Sequence, residues 1–507
     1  MNEDDFDKDT TFGVIGVCGA NGNLIARILK TRGFNVIATD VSSNKNCRFA
    51  KSLEGYDIEV FYGEAPDEFF EKSDYIIPPS SLPKTADIFK RIKKPILELY
   101  DIIDMFKVNI PVFGITGTNG KTTTTTLLKN IAYDNGIIPA EHDLEGMQGN
   151  AEFIPILQSR LPGDVGILEV GTFGIPGTIE RIVKNSNISA GIVTNITPDH
   201  LGDLGSFMGY AHVKAEFIKG LNGKKIIVNG QDPTIMGLLR DTNFQGEIIT
   251  FGIDEIAHTV AKKECVCGET IGVKEIISGC GYYYCKCGLT TPQVDYIATN
   301  IDLINNTFDL YTPEDKISVQ MKISGLHNVY NVTGVIIAAH EFLGIDYEKI
   351  LETVSKFTGV SGRMEKVATI NGKDIIVDYA HNPAGVQTVL REIKKIHGDF
   401  TTVITVASES GSIGDSEIFD HALRYSKYVV PASVASQRVA NEMLREYPDL
   451  KDKIFFDHID NFKKEGTIGA SYEEVYDGIK TALYTDCNLV VAIGEAATKF
   501  KSVVDEL

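Results

Sequence analysis

The segment PVFGITGTNGKTTTTTLLKN, residues 111–130, constrains this chain more than any other stretch. An apolar run, Val112–Thr116, ends at Gly117, and a second glycine, Gly120, precedes Lys121 and a threonine-rich helix start. Glycines let successive backbone N–H groups converge on phosphate oxygens, and the N-terminus of the following helix adds partial positive charge. In such a loop Gly117, Thr118, Asn119 and Gly120 cradle the phosphates. Lys121 neutralises the β- and γ-phosphates, and the Thr122 hydroxyl ligates magnesium, with Thr123 beside it. The general pattern wants a glycine five places before Gly120, but Ile115 stands there, so this is a shorter loop, G-T-N-G-K-T. A strand before it and a helix after it predict an α/β nucleotide-binding unit.

The rest of the chain repeats that alternation. FGVIGVCGANGNLIARILKTRGFNVIATD reads as strand, glycine-rich turn, helix and strand, with strands at Val14–Val17 and Val36–Thr39 and Asp40 closing the second. Gly16, Gly19 and Gly22, followed by Asp40, form a dinucleotide-type layout. A strand at Asp74–Ile77 stops at Pro78 and Pro79. Further apolar runs stand at Val165–Val170, Gly191–Asn195 and Lys225–Asn229, and another strand starts after GVSGRMEKV. At about 150 residues per domain, 507 residues suggest three. The expected fold class is therefore α/β in three domains. These are a Rossmann-like domain over 1–108, a central P-loop-type parallel-sheet domain over 109–358, and a Rossmann-like C-terminal domain over 359–507. Lys plus Arg number 49 against 69 Asp plus Glu, a net charge of −20 that repels a phosphate backbone and argues against a general nucleic-acid binder. The acidic start MNEDDFDKDTTFGVIG lacks the features of a signal peptide. No apolar run approaches the roughly 18 residues of a membrane span. A cytoplasmic protein without membrane insertion is expected.

Five of the eight cysteines fall between Cys265 and Cys287, inside a segment of about 258–292 that interrupts the central domain. Such clustering points to metal before disulfide. Two C-x-C-G pairs, Cys265/Cys267 and Cys285/Cys287, offer four thiolates to a tetrahedral zinc, with Cys280 as an alternative ligand. An all-sulfur shell leaves no open position, so the insert is expected to work locally and to leave nucleotide binding intact. Cys18, Cys47 and Cys487 have no evident partner and read as buried small hydrophobes.

Downstream of the phosphate loop come ILEVGTFG, TNITPDHLGDLGSFMGYAHVKAEF, GLHNVYNVTG, GVSGRMEKV and VDYAHNPAGV, in that order. With GITGTNGKTTT, this series resembles the motifs of the Mur ligase superfamily over roughly residues 12–500. The MurC/MurD-like first domain and the MurT-like zinc-ribbon insert are most similar to the archaeal pseudomurein peptide ligases. The resemblance implies an ATP-dependent carboxylate–amine ligase that adds an amino acid to a UDP-linked cell-wall peptide precursor. An acyl phosphate would form on the way to ADP and phosphate, with ATP, Mg2+ and a structural Zn2+ as cofactors.

The resemblance also assigns roles. Glu169, at the end of an apolar strand where ligands bind in open α/β sheets, and His200 become magnesium ligands. Lys214, in Y-A-H-V-K, becomes a further ligand as a carbamate, with a plain surface lysine as the alternative. Asn328 and Asn331, three apart on one helix face, hold adenine. Arg363 and Asp378 grip ribose and phosphates, and His381 and Asn382 approach the γ-phosphate when the third domain closes. Gly16, Gly19, Ala20, Asn21, Gly22 and Asp40 hold the UDP diphosphate. Lys121, Glu169, His200, Lys214 and His381 make up the expected catalytic set. Gly202 stands where many members have Asp after D-H-L, and two further departures weaken any borrowed amino-acid specificity: PASVASQRVA stands where diamino-acid ligases often carry D-N-P-R, and SESGSIGDSE replaces the usual glycine-rich segment before it. A MurT-like amidating ligase with a glutaminase partner is the alternative function. From another class, the first glycine turn alone would suit an NAD-linked oxidoreductase.

Overall fold

Gly16, at φ +81°, turns the chain out of its first strand and so sets the first sheet. The strands are β1 (Thr11–Ile15), β2 (Asn35–Asp40), β3 (Glu59–Tyr62) and β4 (Tyr75–Ile77), all parallel in the order β3-β2-β1-β4. The first strand thus lies earlier than the apolar run suggested, and Val17 belongs to the turn. Helix α1 (Ala20–Thr31) buries Leu24, Ile25, Ile28 and Leu29 at the expected helical spacing. This computed structural model describes residues 2–144, 147, 149, 151–199, 206–257, 259–406, 411–455 and 469–507.

One sequence expectation fails here. Cys18 and Cys47 are joined by a disulfide across 29 residues rather than lying as separate small hydrophobes. Cys18 follows β1 and Cys47 follows β2, and adjacent parallel strands bring such C-terminal loops side by side. Cys487 is buried and free, as expected.

The central sheet has nine strands: β5 (Val112–Thr116), β6 (Pro139–Ala140), β7 (Val165–Glu169), β8 (Ala190–Val193), β9 (Lys225–Asn229), β10 (Glu247–Ile253), β14 (Tyr296–Asp302), β15 (Thr307–Tyr311) and β16 (Lys316–Gln320). Its order is β16-β15-β14-β10-β9-β8-β5-β7-β6. The chain runs from β5 to the edge at β6, returns through β7, and crosses to β8 on the other flank of β5. Ligands of open α/β sheets bind outside the strand C-termini at such a reversal. The phosphate loop follows β5, Glu169 closes β7, and Thr194–Thr197 follow β8, so all three open onto it. Helices α2 (Lys121–Asp134), α3 (Phe207–Gly220), α4 (Pro233–Asp241) and α5 (Leu326–Glu341) complete this part.

Between β10 and β14 the insert forms its own antiparallel sheet of β11 (Thr259–Glu264), β12 (Thr270–Ile277) and β13 (Cys280–Tyr283). The last sheet, ordered β17-β18-β21-β19-β20, comprises β17 (Glu365–Ile370), β18 (Lys373–Asp378), β19 (Thr401–Ile404), β20 (Tyr428–Pro431) and β21 (Leu489–Ile493). Helix α6 (Pro383–His397) follows β18. Apart from the antiparallel insert, the described residues are thus α/β, built on three mainly parallel sheets. Among the described residues, no helix is long and apolar enough to cross a membrane.

Phe217 of α3 lies on bare backbone. A Cβ at Gly114 would stand 2.8 Å from its ring, and one at Gly191 would stand 2.5 Å away. The pair of glycines on β5 and β8 lets α3 approach the sheet closely, and Lys214 is one turn before Phe217 on the same helix. Replacing Gly191 with Val should overpack this seat and cost about 1–3 kcal/mol, read as a lower urea midpoint.

Candidate active site

The phosphate loop is held by the segment after β8. The Thr118 amide donates to the Asn195 carbonyl at 2.8 Å, and the Asn119 amide donates to Asn195 Oδ1 at 3.0 Å. Asn195 Nδ2 and the Thr194 hydroxyl both donate to the Asn119 carbonyl, at 2.9 and 2.7 Å. The Thr197 amide donates to Thr118 Oγ1 at 3.0 Å. Gly117 permits the approach, since a Cβ there would lie 2.0 Å from Thr194 Oγ1. Gly120, at φ +85°, caps α2, and a Cβ there would lie 2.3 Å from Asn331 Oδ1. Backbone donors at a helix N-terminus thus stand free of side-chain caps, as an anion site requires.

Two lysines converge behind the loop. Lys121 Nζ donates to the Thr118 carbonyl at 3.0 Å. Burial lowers its pKa, against the pull of Glu169 and Asp199. Lys214 is 2% exposed, which corrects the surface-lysine alternative. Burial, then the Lys121 charge, bring it down to about 7, with Asp199 and Glu169 opposing. A lysine near 7 is partly neutral, and only the neutral amine is nucleophilic. His200 and Gly202 lie outside the described residues.

A cavity of about 640 Å³ opens beside the loop. Asn119, Gly120, Thr122 and Thr123 line one side, Asn328 and Asn331 another, and Arg363 and Asp378 of the third sheet's unit a third. Asn331 Nδ2 donates to Asn328 Oδ1 at 3.1 Å, so the two amides form one polar patch. Both Asp378 oxygens accept main-chain donors, from Met364 and Ala380 at 2.7 Å each, which ties it to the G-R-x-E turn. The Arg363 guanidinium lies 4.7 Å from the Tyr379 ring centre. Asn382 caps α6 through Gly385 and donates to Asn119 Oδ1 at 3.1 Å, reaching the phosphate loop directly. His381 pairs through Nδ1 with the Tyr379 carbonyl oxygen at 3.0 Å and does not line the cavity.

Comparison with known proteins bears on this arrangement. Residues 115–339 match the Mur ligase middle domain family, and residues 362–455 match the Mur ligase, glutamate ligase domain family. The solved structure of a pseudomurein peptide ligase type C from Methanothermus fervidus is 33% identical. It superposes with a TM-score of 0.84, over 98% of this chain and 100% of that one. The chain belongs to the Mur ligase family. The UDP-N-acetylmuramate–L-alanine ligase of Rickettsia massiliae is 26% identical over 399 residues, 76% of this chain and 72% of the relative. UDP-N-acetylmuramate-alanine ligase MurC from Thermotoga maritima shares the fold at a TM-score of 0.58 and 16% identity, over 98% of this chain and 99% of that one. Mur ligases are ATP-dependent enzymes of cell-wall peptide synthesis that use magnesium, which sets the class as ligase rather than oxidoreductase.

In this Mur ligase the first-domain turn is shaped from within. Asp40 accepts the Cys18 and Ser42 amides at 2.9 Å each, so its carboxylate holds the turn that Gly16, Gly19, Ala20, Asn21 and Gly22 form. A Cβ at Gly22 would stand 2.4 Å from the Gly16 carbonyl oxygen.

The four knuckle cysteines do converge. Their sulfurs lie within 4.8 Å of one another, with Cys265–Cys287 at 3.8 Å and Cys267–Cys285 at 3.6 Å. Four sulfurs about 2.3 Å from a tetrahedral metal stand about 3.8 Å apart, so the set fits such an ion. Each pair sits in the same turn, with Gly268 and Gly288 at φ +87° and +89°. Cys280 is not part of the cluster. It accepts from Asn229 Nδ2 at 3.6 Å and lines the cavity beside the phosphate loop with Ile277 and Ser278. The insert thus contributes part of the cavity wall.

The sequence reading passed over several residues at this site. Asp199 and Asn195 sit in the same TNITPDH string as His200, where they were readable. Glu392 of α6 was not. It is buried, accepts the Leu326 amide at 2.7 Å, and pairs with His327 at 2.9 Å. Burial lowers the His327 pKa, but Glu392 outweighs it and the net shift is upward, with Asp378 adding and Arg363 opposing. Burial raises Glu392, but His327, the Leu326 amide and Arg391 bring it below its usual value. The pair's contribution is complete between the ordinary carboxylate and ordinary histidine values, fades as pH rises through the raised histidine value, and fades in acid as pH falls through the lowered Glu392 value. His327→Gln should therefore flatten the alkaline limb of the stability–pH curve, measured by thermal melts between pH 6 and 9.

Proposed function

We propose that this Mur ligase is a pseudomurein-type peptide ligase. It would join an amino acid to the carboxylate of a UDP-linked peptide precursor in the cytoplasm, with domain limits near residues 108 and 358. The observation that carries the proposal is the cavity walled by the phosphate loop, the Asn328–Asn331 patch and Arg363 with Asp378, together with the two lysines behind the loop. The full-length likeness to the Methanothermus pseudomurein ligase supports the choice within the family.

In this mechanism the glycine turn at 16–22 binds the precursor's diphosphate, and Asn328 and Asn331 hold adenine. The acceptor carboxylate attacks the γ-phosphorus, the bond to the β-bridging oxygen breaks, and ADP leaves. The amine then attacks the acyl phosphate, phosphate departs, and the amine proton goes to solvent. Lys121 neutralises charge that develops on the phosphoryl oxygens, a preorganised electrostatic effect. Thr122, Glu169, His200 and Lys214 would hold magnesium, which adds positive charge at the same oxygens. Lys214 would do so after its neutral amine adds to carbon dioxide and gives a proton to water. His381 would approach the γ-phosphate from the third domain. Cys265, Cys267, Cys285 and Cys287 would hold a structural zinc.

The products should be ADP and phosphate, and AMP with pyrophosphate would refute the mechanism. Lys121→Ala should lower kcat roughly 100- to 1,000-fold in a screen of UDP-linked precursors against amino acids and ammonia. Metal analysis should find about one zinc per chain, and replacing Cys285 and Cys287 with Ser should abolish it and expose the insert to protease.

A further inference from the structure

The insert is fixed to the central sheet. Lys263 of β11 forms a buried pair with Asp232 at 2.7 Å, and Asp232 also accepts the Ile196 amide, in the segment that holds the phosphate loop. Tyr283 donates to the Gly230 carbonyl at 3.1 Å, and a Cβ at Gly237 of α4 would meet Val266 at 2.7 Å. Hence the insert is anchored on the central sheet and α4.

Its far end faces the third domain. Ser278 and Gly279 form the two-residue β12–β13 turn, at φ +49° and +72°. Such turns select Asn, Asp or Gly at the first position, because both residues need positive φ. A serine here is a poor turn former, and its hydroxyl bonds Thr388 of α6 at 2.6 Å. Three residues before Ser278, Glu275 is 7% exposed and accepts the Gly279 amide at 3.1 Å. Arg391 of α6 lies 3.6 Å from Glu275 and donates to the Ile276 carbonyl at 3.5 Å. Asn382, the N-cap of α6, meets the phosphate loop, and Thr388 and Arg391, three apart further along the helix, meet the insert.

We propose that Glu275 and Ser278, at the tip of the cysteine insert, form the seat on which α6 docks when the third domain closes over the nucleotide. Both are then positioning residues for the ligase. The proposal rests on the ligase reading for its activity readout alone. The hairpin lets a metal-held element set the attitude of the domain that carries Arg363 and Asp378.

The test uses the full chain and Arg391→Ala, Arg391→Lys, Glu275→Gln and the Arg391→Ala/Glu275→Gln double variant. Each is assayed for kcat, for thermal midpoint, and by small-angle scattering with and without ADP and magnesium. Arg391→Ala should lower kcat about 2- to 10-fold, the range of one such contact, and leave an ADP-bound scattering profile closer to the ADP-free one. Arg391→Lys should recover part of both, and Arg391→Ala should cost little more in the Glu275→Gln background. Wild-type kcat and scattering in Arg391→Ala would overturn the seat, as would full additivity in the double variant. A wild-type chain that yields no ADP with any acceptor would count against the ligase reading instead, and the scattering arms would still decide the seat.

Discussion

The grip of Asn195, Thr194 and Thr197 on the phosphate loop is the interaction on which the rest depends. The Thr118 and Asn119 amides are spent on Asn195, and five hydrogen bonds between the loop and one neighbouring segment fix the turn that presents the uncapped amides at the start of α2. The grip is possible because β5 and β8 are adjacent parallel strands, so their C-terminal loops touch. It needs glycine at 117, where any side chain would displace Thr194. The same loop supplies Lys121 and Thr122, so placing the backbone places the chemistry.

From that point the site grows through elements that share the loop as a reference. Asn331 abuts Gly120, Asn382 bonds Asn119, and Asp232 fixes the segment that holds Thr118. Each contact is modest alone. Their common target means that the adenine patch, the third domain and the insert are all measured against one turn.

Much of this was legible because the motifs are short and local. The phosphate loop, Asn328 with Asn331, and the Arg363 and Asp378 strings each lie within a few residues of chain, and the structure brings them to one cavity. The four knuckle cysteines were legible for the same reason. Cys280, the alternative ligand, opens β13 and so stands at the opposite end of that strand from the knuckle. The Cys18–Cys47 pair was hidden by the βαβ crossover, which makes distant residues neighbours without any pattern in sequence. Glu392 was hidden differently. The core face of α6 is Val386, Val389, Leu390 and Ile393, and a glutamate beside that stripe reads as solvent-facing. Its partners, the Leu326 amide and His327, lie on α5, far away in sequence.

The contacts of α6 have a mechanical consequence. From Asn382 to Glu392 the helix makes its bonds over an axial span of about 15 Å, at 1.5 Å per residue. If the third domain pivots at the Asn382 end, a tilt of only about 10° lifts the far end by about 2.6 Å, beyond hydrogen-bond reach. The bonds at Glu392 and Arg391 are then lost while Asn382 still touches the loop. Such a lever has little middle ground: it lies flat along its whole length, or it hangs from one end.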